Sequence, residues 1–229
     1  MRQIQLASWN IRKCVGLDRK RDPMRIVNGI NQLDADIIAL QEADRRLGRR
    51  PAALPAWMVE AETDLIPLQS SKSEVSLGWH GNALLLRRDI KVEDIHTMDL
   101  PGLEPRGAVI ADLHVRAKRL RIVAVHLGLL TRSRGLQYDA ISAKLRALKP
   151  RPTVVMGDFN EWNRRAGLTS LHGFEMHAPG ATFHAARPVA ALDRFALSDD
   201  VELRDAAVVE TPLTKVASDH LPITAEIAT

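Results

Sequence analysis

Seven polar residues sit at the edges of short apolar runs. Asn10 ends the run Ile4–Trp9, Glu42 follows Asp36–Leu40, and His126 follows Leu120–Val125. Asp158 and Asn160 come after TVVMG, and the pair Asp219-His220 precedes Ile223–Ile227. A polar residue at a strand end is ordinarily a turn former or a solvated side chain. Its recurrence after one apolar run after another asks for a different reading. Strand ends of one layered core can converge on one crevice, where rigid elements hold side chains in fixed geometry. Carboxylates, amides and imidazoles are the groups that hold a hard divalent cation and a phosphate. Oxygen ligands suit Mg²⁺ or Mn²⁺, and the single cysteine, Cys14, argues against a thiolate zinc site.

The elements that must carry these residues are legible as short, punctuated apolar runs. Ile4–Trp9 and Asp36–Leu40 read as strands. Between them Asp22-Pro23 reads as an N-cap followed by proline at the first helical position, with Ile26, Ile30 and Leu33 along one helical face. Asn82–Leu86 is a further strand. Gly107–Val115 and Leu120–Val125 are joined only by the basic link Arg116–Arg119, so they form an antiparallel hairpin. Leu136–Leu148 reads as a helix stopped by Pro150, with Ile141, Leu145 and Leu148 on one face. Thr153–Met156, Leu192–Leu197, Val201–Val209 and Ile223–Ile227 complete the strands. Many strands, few helices and adjacent hairpins predict an α/β (α+β) chain, two mixed sheets packed face to face with helices outside.

Composition bounds the rest. The chain has 229 residues, 45% hydrophobic and 26% charged, with a formal charge of +4. That is an ordinary globular balance, which excludes a disordered tail. With no repeat or low-complexity linker, one domain over residues 1–229 is expected, acting as a monomer. No apolar run approaches the ~18 residues of a membrane span, and the start lacks a secretory h-region. A cytoplasmic location is therefore expected, in keeping with a single cysteine. The modest positive charge hints at an anionic partner without naming DNA, RNA or membrane.

Taken together, Ser8-Trp9-Asn10-Ile11-Arg12, Ile38-Ala39-Leu40-Gln41-Glu42, Gly157-Asp158-Phe159-Asn160 and Ser218-Asp219-His220-Leu221-Pro222 resemble the motifs of the endonuclease/exonuclease/phosphatase superfamily, in its order. Gly81-Asn82-Ala83, Val125-His126-Leu127 and Leu192-Asp193-Arg194-Phe195 resemble its intermediate motifs. The resemblance runs along the whole chain. It implies a four-layer α/β sandwich and divalent-metal-dependent cleavage of a phosphate ester.

Such hydrolysis needs an activated water, neutralised phosphoryl oxygens and help for the leaving alkoxide. The resemblance implies metal binding by Glu42 and Asp219, with Asn10 supporting the metal water or a phosphate oxygen. Asp158 would orient or deprotonate the attacking water, and Asn160 would hydrogen-bond a phosphoryl oxygen. Their spacing of two puts both on one side if the backbone stays extended after Gly157; otherwise they form an Asx turn. His220 would donate to the phosphate or act as an acid, with Asp193 on its other ring nitrogen; the alternative is a plain salt bridge from Asp193 to Arg194 or Arg187. His126 and Asn82 fill positions that face the phosphate. Glu104 could orient His126, and Arg106 is counted with the substrate-binding residues. One departure stands out: many family members carry an acid where this chain has Arg12, followed by Lys13. That favours one metal and leaves Arg12 to bind phosphate or to lie solvated.

Basic residues gather in Arg12–Arg21, in Arg45–Arg50 and at Arg132 and Arg134, close to motif strands. Guanidinium forks match phosphate oxygens, so an anionic phosphate ester is the expected substrate. HLGL…R…Q, MGDFNEW and ATF…RP…LDR resemble a compact bacterial branch of the superfamily, some genes of which are associated with phospholipid synthesis. A phospholipid-derived substrate is one expectation and a nucleic acid the competing one. Aromatic residues, at 4%, are sparse for a stacking nuclease groove. A catalytically silent binding member would be expected to lack Glu42, Asp158 or His220, and all are present.

Overall fold

The computed structural model describes residues 3–45, 48–70, 75–162 and 171–229. In chain order the strands are β1 (Ile4–Asn10), β2 (Ile37–Gln41), β3 (Leu65–Pro67), β4 (Ala83–Arg87), β5 (Lys91–Leu100), β6 (Arg106–Val115), β7 (Lys118–His126), β8 (Thr153–Asp158), β9 (Phe174–His177), β10 (Asp193–Ser198), β11 (Glu202–Val208) and β12 (Ile223–Ala228). The α-helices are α1 (Pro23–Leu33), α2 (Ala56–Glu62), α3 (Thr131–Ala147) and the single turn α4 (Thr214–Ala217). Two six-stranded sheets result, in the orders β11-β12-β1-β2-β4-β3 and β5-β6-β7-β8-β10-β9.

The sheets share a plan. Each has one parallel pair at its centre, β1–β2 in the first and β7–β8 in the second, flanked by antiparallel neighbours. Parallel partners require a crossover, and α1 and α3 supply it.

Period-two alternation sorts the side chains into layers. Leu6, Ile37 and Leu84 of the first sheet pack against Val109, Ile122, Met156 and Phe195 of the second, a core between the sheets. The opposite face of the first sheet buries Trp9, Ile38 and Leu40 against Ile26 and Ile30 of α1 and Val59 of α2. The opposite face of the second buries Val123, Val125 and Val155 against Tyr138 and Ile141 of α3. The chain is thus a four-layer α/β sandwich with its helices outside.

Helix α1 begins as its sequence dictates: the Asp22 side chain accepts from the Arg25 amide at 3.0 Å, with Pro23 in the first turn. Gly29 lets the helix lie on Trp9, whose ring would stand 2.6 Å from a Cβ at that position. Several elements carry no sequence signal of the kind used above. The edge strand β5 is largely exposed along its length, so its apolar run is missing. The short β3 and β9 and the helix α2 are likewise unexpected, and α3 starts at Thr131 rather than Leu136. Among the described residues no helix is long and apolar enough to cross a membrane.

Candidate active site

The stripe of residues facing the inter-sheet core ends, on strand after strand, in a polar group. On β7 it runs Ile122, Ala124, His126; on β8, Val154, Met156, Asp158; on β10, read backwards, Leu197, Phe195, Asp193. Register then sets these ends side by side: His126 pairs with Asp158, and Asp158 with Asp193. On the first sheet Asn10 pairs with Gln41, which brings Glu42 to the neighbouring strand end. The positions are level because strand spacing allows no alternative once the apolar stripes interlock.

Asp158 is the hub. Its Oδ2 accepts from Asn10 Nδ2 at 3.0 Å across the gap between the sheets. The same oxygen lies 3.4 Å from His126 Nε2 and 3.8 Å from His220 Nε2. His220 Nδ1 is 2.8 Å from Asp193 Oδ2, which also accepts from Thr182 Oγ1 at 2.5 Å. Among the described residues, Asp193 Oδ1, buried, has no hydrogen-bond partner. Burial pushes the Asp158 carboxyl up to about 6; the His220 cation lowers it in part and Asp193 raises it further. Burial opposes the His220 cation, but Asp193, Asp158 and Asp219 together outweigh it and raise its pKa to about 10. Asp158 and His220 therefore form a buried acid–base pair with Asp193 behind the histidine.

Backbone geometry fixes the hub. Gly157 has φ 151°, and a Cβ there would lie 1.9 Å from the Val125 carbonyl oxygen, so only glycine lets β8 approach β7 at this point. The extended path expected beyond Gly157 ends early. Asn160 has φ 50° and its amide donates to Asp158 Oδ1 at 2.9 Å, an Asx turn, while its Nδ2 goes to the Leu127 carbonyl at 2.9 Å. Asn160 thus supports Asp158 from the backbone.

Glu42 and Asp219 lie against a basic turn. Arg12, Lys13 and Cys14 all have positive φ (45°, 56° and 59°) and carry their side chains into one short loop after β1. Lys13 Nζ contacts Glu42, and Arg12 Nε stands 3.3 Å from Asp219 Oδ2. The Arg12 amide donates to Asn10 Oδ1 at 3.1 Å. Cys14 is buried, and burial pushes its thiol up to about 12.

The remaining expected residues lie deeper. Asn82 is fully buried, with Nδ2 donating to the Gly107 carbonyl at 2.9 Å and the Trp79 carbonyl at 3.3 Å; its Oδ1 has no partner. Its donors are committed to the backbone. Arg106 is buried and pairs twice with Glu104 Oε2, at 3.1 and 2.6 Å; Glu104 Oε1 accepts from the Leu129 amide. Arg134 is drawn into the fold, where it pairs with Glu161 at 2.9 Å. Asp193 pairs with His220 rather than with the plain salt-bridge partners considered above. Arg46, part of the basic loop, lies outside the described residues.

Other contributors are given no role by the sequence reading, although Trp9 and Ser218 lie within the SWNIR and SDHLP motifs. The Thr182 hydroxyl braces Asp193, and Ser218 Oγ donates to the Asn10 carbonyl at 2.6 Å. Trp9 Nε1 donates to the His220 carbonyl at 2.9 Å, and Phe183 packs on the His220 ring at 5.0 Å. Only the sequence ATF hinted at the first and last of these. A cavity of ≈ 130 Å³ adjoins the centre, sharing Glu42 and His126 and lined also by Arg50, His80 and Arg106. His80 has no motif around it, yet it forms part of that wall.

Oxygen ligands dominate the centre, and among the described residues its buried acceptor Asp193 Oδ1 has no donor partner. That surplus of acceptors fits a hard divalent cation. Asp158, Asp193 and His220 also form a group that could hold a metal ion, their ligand atoms lying within 4.8 Å of one another.

Residues 7–220 match the model of the Endonuclease/Exonuclease/phosphatase family. The chain belongs to that family. Its hydrolase members act on phosphate esters with the help of divalent metals. It is 26% identical over 231 residues to the uncharacterized protein YbhP of Escherichia coli, an alignment covering 92% of this chain and 88% of YbhP. Its fold is similar to a mannosyl-6-phosphatase of Bacteroides thetaiotaomicron (TM-score 0.79, 15% identity, 99% of this chain and 100% of that one). It is also similar to D. rerio TDP2 complexed with a single-strand DNA product (TM-score 0.76, 17% identity, 99% of each chain).

Proposed function

We propose that the protein is a divalent-metal-dependent phosphodiesterase in which Asp158 activates the attacking water. The observation that carries this reading is the position of Asp158, buried between Asn10 and two histidines, one of them backed by Asp193. A carboxylate with its pKa raised to about 6 is ionised at neutral pH yet basic enough to take a proton. Asn160 holds Asp158 through its backbone amide, so its contribution is orientation. His220, held as an imidazolium by Asp193, donates an N–H to a phosphoryl oxygen as negative charge builds there. His126 donates from the neighbouring strand end.

Glu42 and Asp219, supported by Asn10, would hold Mg²⁺ or Mn²⁺, which would supply Lewis-acid neutralisation of the phosphate. These carboxylates suit the role better than the Asp158–Asp193–His220 group. In that group, Asp158 Oδ2, Asp193 Oδ2 and His220 Nδ1 already serve hydrogen bonds. Lys13 and Arg12, by contrast, are long side chains that can leave Glu42 and Asp219 for the phosphate.

The test is hydrolysis of bis(4-nitrophenyl) phosphate with Mg²⁺ or Mn²⁺, with and without chelator. Turnover should require the metal, and Asp158→Asn and His220→Ala should each lower kcat by at least ~100-fold, the scale of a lost general base or oxyanion donor. Equal rates in wild type and both variants would sink these roles. Supercoiled plasmid DNA and RNA belong in the same series. Cleavage of nucleic acid alone, falling steeply with salt, would replace the small-ester reading with a nuclease.

A further inference from the structure

We propose that the cavity beside the reactive centre binds a second phosphate group of the substrate through Arg50, so that preferred esters carry two phosphates. The inference rests on the phosphoesterase reading above and names the substrate class within it. The cavity shares Glu42 and His126 with the centre, so a group bound in it belongs to the molecule being cleaved. At ≈ 130 Å³ it is well below the ~300–1,000 Å³ of pockets that take drug-sized ligands. One small anionic group fits.

The chemistry of the wall is that of an anion site. Asp44 turns its carboxylate to the loop, accepting from the Leu77 amide at 2.7 Å and the Gly78 amide at 3.3 Å. Glu104 is engaged by Arg106. Arg50 Nη1, in contrast, lies 2.6 Å from His80 Nδ1, and His80 Nε2 lies 2.8 Å from Asp99 Oδ1. A guanidinium has only donors, so Nδ1 must be the acceptor and the imidazole proton sits on Nε2, facing Asp99. Among the described residues, Arg50 is aimed by its hydrogen bond to His80, with the Asp44 carboxylate within electrostatic reach, and it lines the cavity. A guanidinium held in this way presents the planar fork that matches phosphate oxygens.

Backbone strain marks the same wall. Glu42, Arg50 and His80 have φ of 53°, 52° and 50°, left-handed positions that side-chain-bearing residues rarely adopt. The cavity therefore has its side chains aimed inward by backbone conformations that a relaxed loop would avoid.

The experiment uses the 4-nitrophenyl ester of thymidine 5′-phosphate with and without a 3′-phosphate, the two esters differing by one phosphate and sharing a leaving group. Wild type should show a KM about 10-fold lower for the bisphosphate ester, the scale of one charge-assisted contact. Arg50→Gln should bring the ratio of the two KM values close to one, and Arg50→Lys should leave an intermediate ratio. Arg49→Gln removes the same charge from an exposed neighbour and should keep the wild-type ratio. A ratio of one in wild type, or a ratio unaltered by Arg50→Gln, overturns the proposal. If neither ester turns over, the hydrolytic reading fails by itself, and calorimetry with thymidine 3′,5′-bisphosphate and thymidine 5′-monophosphate decides the subsite. A bisphosphate preference in wild type that Arg50→Gln abolishes supports it; equal affinities in wild type overturn it.

Discussion

Asp158 and His220 face each other at 3.8 Å with pKa values moved in the same direction for opposite reasons. Burial disfavours the carboxylate, whereas the surrounding carboxylates favour the imidazolium. In the proposed mechanism the sign is direct: Asp158 acts ionised and His220 protonated. The profile of kcat/KM against pH for a phosphodiester should rise through about 6, level off and fall through about 10. His220→Ala should remove the alkaline limb. An alkaline limb near the ordinary histidine value of ~6.5 would reject the imidazolium role. Linkage gives a companion sign for stability. With its folded pKa raised, His220 contributes stability fully below about 6.5, and this is lost as pH rises through about 10. Residue types at strand ends were enough to single out the hub and its histidines. They could not reveal that Lys13 meets Glu42, that Thr182 braces Asp193, or that Arg50 meets His80 thirty residues away in sequence. Such contacts depend on how loops fold back, which neither periodicity nor local propensity encodes.

At the scale of elements, the central strands were the most legible part because both their faces are buried and their apolar runs are continuous. The strand β5 was invisible for the complementary reason. An exposed edge strand with Lys91, Glu93, Asp94 and His96 reads as a loop, and only its pairing with β6 makes it a strand. The seam of β7 and β8 offers a sharp test of how an element positions the site. Gly157→Ala places a methyl against the Val125 carbonyl and asks alanine to adopt φ 151°. It should destabilise the protein by about 2–3 kcal/mol in urea unfolding, and the folded fraction should lose activity because Asp158 is the next residue. Gly135→Ala is the contrasting change. It lies on the exposed side of α3, where an added Cβ meets nothing within 4 Å, and should stabilise by up to about 1 kcal/mol. Equal effects of the two changes would show that the approach of β8 to β7 does not constrain position 157.

At the scale of the molecule, the two sheets place comparable polar groups at comparable points. Asn10 and His126 end the first strand of each parallel pair; Glu42 and Asp158 stand at the end of the second. Sequence alone predicts two mixed sheets from the count and spacing of runs, but not their matched plan, which depends on which strands become neighbours. The layers meet through an apolar core along most of their length, and through Asn10 and Asp158 at the site. On the proposed reading, a phosphate held by His126 on one sheet and by a cation that Glu42 would bind on the other would be a rivet through both. Whatever binds there must be released before the sheets can part, so heat resistance becomes a gauge of occupancy that needs no turnover. Inorganic phosphate with Mn²⁺ should raise the melting temperature in proportion to the logarithm of its concentration, reaching about 2.7 kcal/mol of added stability at a hundredfold excess over Kd. His126→Ala or Glu42→Gln should flatten that slope, since either change frees one sheet from the rivet.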